Sequence, residues 1–596
     1  MLKNYCLWIC EECMPVYQAP VEKISFLFNH VLKIQDFQHL KGFDELTPDL
    51  LEAVLEGAGK LVEEEFFPLN RHGDEEGCRL ENNRVQVPSG FAEAYAKYCE
   101  GGWASLTADE CDGGQALPHM LGGAVMEMLS SANFALSLFP LLSHSAYMAL
   151  KAHASDDIRK TYLPKMASGT WTGTMHLTEP HAGTDLALLR TKATPLDDGS
   201  YAIEGTKIFI TCGEHELAEN IIHLVLARLP DAPEGVRGIS LFVVPKFMVN
   251  EDGSLGARNQ VFCASLEKKM GIHGSPTCVM NLDNAKGFLV GAPHQGLKSM
   301  FTMMNAARLF VGIQGLSQAE VAYQNAHAYA CDRLQGRGPR GPVNEKSSAD
   351  PIIIHPDVRR MLLTQKSQIE AGRALTLYTL MQMDLAHAAE TDQEREEADD
   401  LTAFLTPVVK AHLSDIGSEG ANLAVQCFGG HGFVREWGVE QFVRDARICQ
   451  IYEGTNGVQA MDLVGRKMNI HDGRLPRRFF NKVAQSLPKM EDGPAQEFIA
   501  PLRKALDRLQ AALEDVAAMD MADRGAAAYP AMQAVGTLGL AWMWAEMAHA
   551  ATNTNMAKIP TARFYFQQIL PKLDYLCEIV RSGGQVIERH PIGHVA

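Results

Sequence analysis

The chain has 596 residues, 46% of them hydrophobic and 21% charged, the balance of a globular protein and enough chain for several domains of ~100–200 residues each. Its formal net charge of −18 excludes a general nucleic-acid binder, which needs a broad basic surface to displace phosphate counterions, though not a local basic site for a phosphorylated cofactor. The 13 cysteines are odd in number and thinly scattered, which excludes a disulfide framework and points to a reducing compartment, the cytoplasm.

The first twenty residues, MLKNYCLWICEECMPVYQAP, lack the basic segment and long apolar core of a signal peptide. Met14-Pro15 reads as a natural start and residues 1–13 as an upstream extension. The Cys10/Cys13 pair has no second pair or matching histidines nearby, so no zinc site is expected. No uninterrupted apolar run approaches the ~18 residues of a membrane span.

From about 21 to 168 apolar residues recur at spacings of three and four, the mark of helices. Thr47-Pro48 gives a hydroxyl cap followed by proline in the first turn. The stretch from Gly122 to Leu150 reads as buried helices separated near Pro140. Between 171 and 287 the texture changes to short β-rich runs, YAIEGTKIFIT, NIIHLVLARL and GISLFVVPKF, which predict a small sheet or barrel. Long helical patterns return from about 295, interrupted by a Gly/Pro/Ser loop at 335–350 and a charged tip or exposed helix at 390–400. Residues 467–596 are helical again. There Ile499, Leu502, Leu506, Leu509, Leu513 and Val516 form a stripe that suits either a coiled-coil seam or the buried face of a bundle. The predicted fold is mainly α with a central β domain: helical 1–170, β 171–287, helical 288–466, and an extra helical domain 467–596.

Three segments carry chemistry: MHLTEPHAGTD (175–185), GTKIFITCG (205–213), and QCFGGHGF (426–433) continuing to RDARICQIYEGTNGVQ (444–459). Singly, each has a plain reading: a turn rich in Pro, Gly and Asp, a half-buried strand, and a helix closed by glycine. GGHGF ends a helix, so it is not a dinucleotide-binding fingerprint, which follows a strand and opens a helix. His144, His176, His181 and His431 stand isolated, without metal-ligand spacing, and predict structural hydrogen bonds.

Together and in this order, these segments resemble the acyl-CoA dehydrogenase family over roughly residues 50–466. The resemblance implies an N-terminal helical domain, a middle β-barrel and a C-terminal four-helix bundle, with FAD between the last two. It also implies removal of the α proton and β hydride of an acyl-CoA thioester. Such a reaction needs an ionised base in a water-poor site, which suits a carboxylate on a rigid segment. Glu453 stands at the family's usual base position, and its backbone N–H belongs to the family's oxyanion hole. The family's second base position, before an arginine, holds Ala307, which cannot accept a proton.

Carried over by motif, Leu177 and Thr178 meet the isoalloxazine, and Phe209 and Thr211 match the family's KxWIT strand, with phenylalanine in place of tryptophan. Thr455 also touches FAD. Arg333 and Gln335 meet the pyrophosphate across a subunit interface, where a guanidinium pairs well with phosphate. Gln426, Gly429 and Gly430 receive the ADP moiety. Thr184, Asn305 and Arg308 line the CoA side; no metal is implied. The implied partners are an acyl-CoA, electron-transferring flavoprotein and further copies of the chain in a homodimer or tetramer.

The length, the MPVYQAPV start, the KKMGIHGSPTC stretch (268–278) and the appended domain resemble the 3-methylmercaptopropionyl-CoA dehydrogenase group, which works in dimethylsulfoniopropionate breakdown. The same length class includes fatty acyl-CoA dehydrogenases of β-oxidation. An acyl-CoA oxidase shares the bond chemistry. A DNA-associated, flavin-bearing scaffold is opposed by the near balance of charge in 467–596 and by the intact Glu453.

Overall fold

In a computed structural model, residues 15–553, 556–588 and 590 are described; the Cys10/Cys13 pair and the Met14 start lie outside them. The chain forms two compact units. One comprises Lys60–Leu117 and Ala132–Phe310; the other comprises the chain up to Gly59, Pro118–Ser131 and the chain from Val311 onward.

The first unit is built on a β-barrel. Strand Thr277–Val290 pairs with Tyr201–Thr211, which pairs with Lys192–Pro195; that strand meets Asn220–Arg228, which pairs with Ile239–Pro245, and this last strand returns to Thr277–Val290. Val261–Leu266 and Trp171–His176 extend the sheet. Alternation along the strands sends Ile203, Val225, Phe242, Val244, Met280 and Leu282 into one core, as the period of two requires, and a register shift between Lys207 and Ile210 brings Ile210 into the same core.

Helix Phe134–His153 of the same unit runs through Pro140, so the expected break near Pro140 is displaced to Asn133. The Asn133 side chain accepts from Leu136 N–H at 3.0 Å and donates to the Phe66 carbonyl at 3.2 Å. The cap satisfies an otherwise orphaned donor at the helix start, and burial on both sides of Pro140 carries the helix through it.

The second unit is helical. Its long helices are Gly296–Asp332 (from Val311), Pro356–Ala388, Asp392–Phe428 and Met521–Ala550. The charged tip resolves into a capping box, Thr391 with Glu394, that opens Asp392–Phe428. Helix Pro48–Leu61 begins where Thr47-Pro48 predicts, with Leu50 N–H on the Thr47 hydroxyl. The 499–516 stripe is the buried face of helix Ile499–Ala518, packed on Met521–Ala550 and Lys572–Arg581; the bundle alternative is the one realised.

Met521–Ala550 is apolar on nearly every side and buried for most of its length, as such a helix must be. Trp544 donates to the Ser367 carbonyl at 2.9 Å. A Cβ on Gly536 would lie 2.4 Å from His412 Cγ, so only glycine allows this approach to Asp392–Phe428. Arg373, fully buried, donates to Glu127 at 2.6 and 2.8 Å and to Glu320 at 2.7 Å, joining three helices through one guanidinium.

Three histidines are buried in the barrel unit. His176, predicted to stand isolated, lies 3.0 Å from His223 Nδ1, because the parallel pairing of their strands brings them side by side. The hydroxyl of Thr174 lies 2.8 Å from His223 and that of Thr172 lies 3.0 Å from His215. Burial, with Lys207 beside His176 and Lys246 beside His215, pushes both down to about 3 from 6.5; burial and His176 hold His223 well below its usual value. All three are neutral in the folded state and bind protons on unfolding below about pH 6.5, so stability falls as pH drops from there towards 3 and is insensitive to them above it. The urea midpoint should decline on acidification from neutrality, and His215→Asn should flatten that decline by about one proton's worth; an identical pH slope in the variant refutes the assignment.

Candidate active site

Leu177, Thr178, Phe209 and Thr211 lie where strand Trp171–His176 ends beside strand Tyr201–Thr211. Ile208 N–H donates to the Thr178 carbonyl at 2.9 Å and Lys207 Nζ to the Leu177 carbonyl at 3.1 Å. With both carbonyls engaged, trans-peptide geometry turns the Thr178 N–H the opposite way, and neither it nor the Thr178 hydroxyl has a partner among the described residues. Phe209, at φ 58°, is 60% exposed although it lies within a strand. Left-handed backbone is costly for an aromatic residue, and here it accompanies a ring held out of the core. Thr211 pairs with Thr277 at the end of the same strand.

Sequence reasoning missed what holds this edge. Lys207 and Glu179 form a buried pair at 2.9 Å, and Glu179 also accepts from Arg190 N–H, Thr191 N–H and the Thr191 hydroxyl at 2.5–3.0 Å. Burial pushes Lys207 down to about 8 against the pull of Glu179. Burial also opposes the Glu179 charge, but Lys207 and these hydrogen bonds outweigh it and hold its carboxyl below the usual range. Both charges lie inside the quoted motifs, but nothing in their spacing shows that they meet. Thr184 is exposed two residues past the turn that Glu179 and Ala182 close by mutual backbone bonds. Asn305 is exposed and Arg308 buried on one helix, 3.4 Å apart; Ala307 beside them is fully buried.

The remaining predicted residues belong to the helical unit. Glu453 (φ 55°) and Gly454 (φ 84°) make a left-handed turn, and Thr455 caps helix Asn456–Met461 through Val458 N–H. Gln459, on that helix, donates back to the Glu453 and Gly454 carbonyls at 3.3 and 3.2 Å. The carboxylate-bearing residue is therefore half-buried on a turn tied at both ends.

Gln426 is exposed on the last turn of Asp392–Phe428. Gly429 (φ 60°) and Gly430 follow, with open space where a Cβ would stand. Tyr329 stacks on Phe428 at 4.1 Å and meets His431 at 2.9 Å, while His431 stacks on Trp437 at 4.3 Å. This aromatic cluster fixes the glycine turn and accounts for His431. Arg333 and Gln335 are exposed just past the helix that carries Tyr329. Their loop is organised by buried Asp350, unforeseen in the sequence, which accepts from Gly338, Val343 and Asn344 N–H.

Metal chemistry finds little support. Among the described residues, Asp109, Cys111 and Asp112 form a group of metal-capable side chains, and Lys151 Nζ already meets the two carboxylates at 2.6 and 2.7 Å. A flavin fits better. The exposed Phe209 ring and the unpartnered Thr178 donors suit a planar heteroaromatic ring with carbonyl oxygens. The open glycine backbone and the exposed Arg333 guanidinium suit a pyrophosphate.

A β-barrel unit, a helical bundle and a carboxylate on a constrained turn define a flavin-dependent oxidoreductase. The chain matches the acyl-CoA dehydrogenase N-terminal domain over residues 49–170, the middle domain over 174–285, the C-terminal domain over 294–468, and an acetyl-CoA dehydrogenase C-terminal-like domain over 479–589. It is 45% identical to a 3-methylmercaptopropionyl-CoA dehydrogenase of Ruegeria pomeroyi, covering 93% of this chain and 96% of that one. It is 38% identical to a butyryl-CoA dehydrogenase of Syntrophomonas wolfei, covering 78% and 77%. In fold it is similar to Caenorhabditis elegans ACDH-11 in complex with C11-CoA, with a TM-score of 0.80 at 19% identity over 97% and 96% of the two chains. The chain belongs to the acyl-CoA dehydrogenase family, and its cofactor is FAD.

The Lys207–Glu179 pair generates a stability prediction. Lys207→Met leaves a buried carboxylate uncompensated and should destabilise the barrel by about 3–5 kcal/mol in urea unfolding. A loss under about 1 kcal/mol would mean that water reaches Glu179.

Proposed function

We propose that Glu453 is the base of an α,β-dehydrogenation that takes 3-(methylthio)propanoyl-CoA to its 2-enoyl thioester. The observation that carries the role of Glu453 is its backbone: a left-handed, half-buried turn secured by Gln459 and the Thr455 cap. Such a turn fixes the carboxylate before substrate arrives, so orientation is not lost at the moment of reaction. Glu453 takes the α proton, and its own N–H would donate to the charge that develops on the thioester oxygen. FAD supplies the acceptor for the β hydrogen, which leaves as hydride.

Leu177, Thr178, Phe209, Thr211 and Thr455 hold the ring system in this reading. Gln426, Gly429 and Gly430 receive the ADP end, and Arg333 and Gln335 the pyrophosphate of a neighbouring subunit. Thr184, Asn305 and Arg308 contact CoA. The substrate assignment rests on identity that runs nearly end to end with the Ruegeria enzyme, including the appended region. In this reading the chain is a cytoplasmic homodimer or tetramer of dimethylsulfoniopropionate degradation that passes electrons to electron-transferring flavoprotein. No described helix is long and apolar enough to cross a membrane. The likeness to a butyryl-CoA dehydrogenase favours a second reading, a short-chain fatty acyl-CoA substrate.

Anaerobic flavin bleaching tests both the substrate and the base. 3-(Methylthio)propanoyl-CoA should bleach the flavin at least as fast as butyryl-CoA and much faster than palmitoyl-CoA; a strict preference for palmitoyl-CoA overturns the substrate assignment. Glu453→Gln should retain FAD and reduce it ~10²–10⁴-fold more slowly, the usual loss for a general base. Reduction at the parent rate would mean that the α proton leaves by another route.

A further inference from the structure

Residues 467–596 extend past the part of the chain matched by the family's C-terminal domain, and their longest helix reaches the base turn through a continuous set of hydrogen bonds. Asn456, the first residue of the helix that Thr455 caps, donates from Nδ2 to Asp415 Oδ1 at 2.8 Å, to Ser414 Oγ at 3.0 Å and to the Ala411 carbonyl at 3.1 Å. Its Oδ1 accepts from Lys410 at 2.9 Å and from Ser414 at 3.1 Å. Gln450, on the other side of the turn, donates to the same Asp415 oxygen at 2.6 Å. One carboxylate thus grips both flanks of the segment that carries Glu453.

The second oxygen of that carboxylate belongs to the appended helix Met521–Ala550. Tyr529 donates to Asp415 Oδ2 at 2.7 Å, and Gln533 Nε2 donates to the same oxygen. The other end of the Gln533 amide lies 2.6 Å from His412 Nδ1. Gly536, one turn along, permits the close approach that sets this geometry. The four donors, two on each oxygen, fill the carboxylate's acceptor sites, so removing one loosens the hold on Asp415, and with it on Asn456 and the turn behind it.

We propose that Gln533 and Tyr529 of the appended domain are positioning residues for the base, acting through Asp415 and Asn456 on the Glu453 turn. The inference rests on the reading of Glu453 as the base. Asp415 is well placed for this role because its two oxygens face different partners: one serves the turn, the other serves the appended helix. A small displacement of a reacting group far from any binding contact is enough to cost orders of magnitude in rate. The added domain is therefore part of the catalytic apparatus in this chain.

The test uses full-length holoenzyme carrying Gln533→Met, Tyr529→Phe or Glu453→Gln, with butyryl-CoA as the probe. FAD content, urea midpoint, substrate dependence and pH profile of anaerobic flavin reduction are measured for each. Gln533→Met should keep its FAD and its KM, lose ~10- to ~100-fold in limiting reduction rate, and show a displaced apparent pKa in the rate profile. Tyr529→Phe should move the same readouts in the same direction by less. The parent's rate and pH profile in both relay variants, with Glu453→Gln inert, would overturn the positioning role and leave the base standing. A rate loss that merely follows a fall in urea midpoint, at unchanged pH profile, would equally overturn it. Should Gln533→Met fail to fold, Tyr529→Phe, which removes one hydroxyl from a partly exposed residue, decides by the same criteria. Reduction at the parent rate by Glu453→Gln would overturn the base reading and the inference with it.

Discussion

Each unit depends on the rule that a buried charge must be met by its opposite. In the helical unit, Arg373 stands with no access to water between Glu127 and Glu320. Its guanidinium geometry serves both, because it offers donors in a fixed planar fork. The helices that carry these residues can then pack only in the register that brings the three together. In the barrel unit, Lys207 and Glu179 impose the same condition on the strand edge that presents Leu177, Thr178 and Phe209. Neither arrangement is needed for net stability, since apolar cores of equal volume do as well. What they add is a restriction on the geometry in which the elements that carry them can pack.

The order of helical, β and helical segments was legible in the sequence because periodicities of two and 3.6 are local properties. So was the start at Thr47-Pro48, where cap and proline act within one turn. Pro140 misled because the competing signal, the Asn133 cap, works through a hydrogen bond to a helix donor and a second to Phe66, far away in sequence. The motifs drew attention to Glu453, Thr455 and the glycine turn at 429–430 through the family resemblance they carry. They gave no sign of Asp350, Asp415 or the approach of Lys207 to Glu179. Those residues act through partners supplied by the tertiary fold, and a polar residue in a helix or loop looks the same whether or not such a partner waits for it. His176 is the same case in reverse: isolated in sequence, it is paired with His223 across two parallel strands.

The turns at 429–430 and at 453–454 show how differently strain can be supported. At 429–430 the left-handed backbone is carried by glycine, and the stacked rings of Tyr329, Phe428, His431 and Trp437 supply the rigidity around it. At 453 a glutamate takes the positive φ, which is unfavourable for a residue with a side chain, and hydrogen bonds from Gln459 and the helix that follows balance it. Phe209 resolves the same conflict on a strand, where ladder bonds on either side hold an aromatic residue in a conformation it would otherwise leave.

The helix Met521–Ala550 is too apolar to remain in water, yet it is translated after every other long helix of the bundle it completes. Until it arrives, the faces of Pro356–Ala388 and Asp392–Phe428 that receive Trp544 and Gly536 stand open. A nascent chain halted after residue 466 would therefore expose two greasy helix faces together, the kind of surface that holdase chaperones and quality-control proteases recognise.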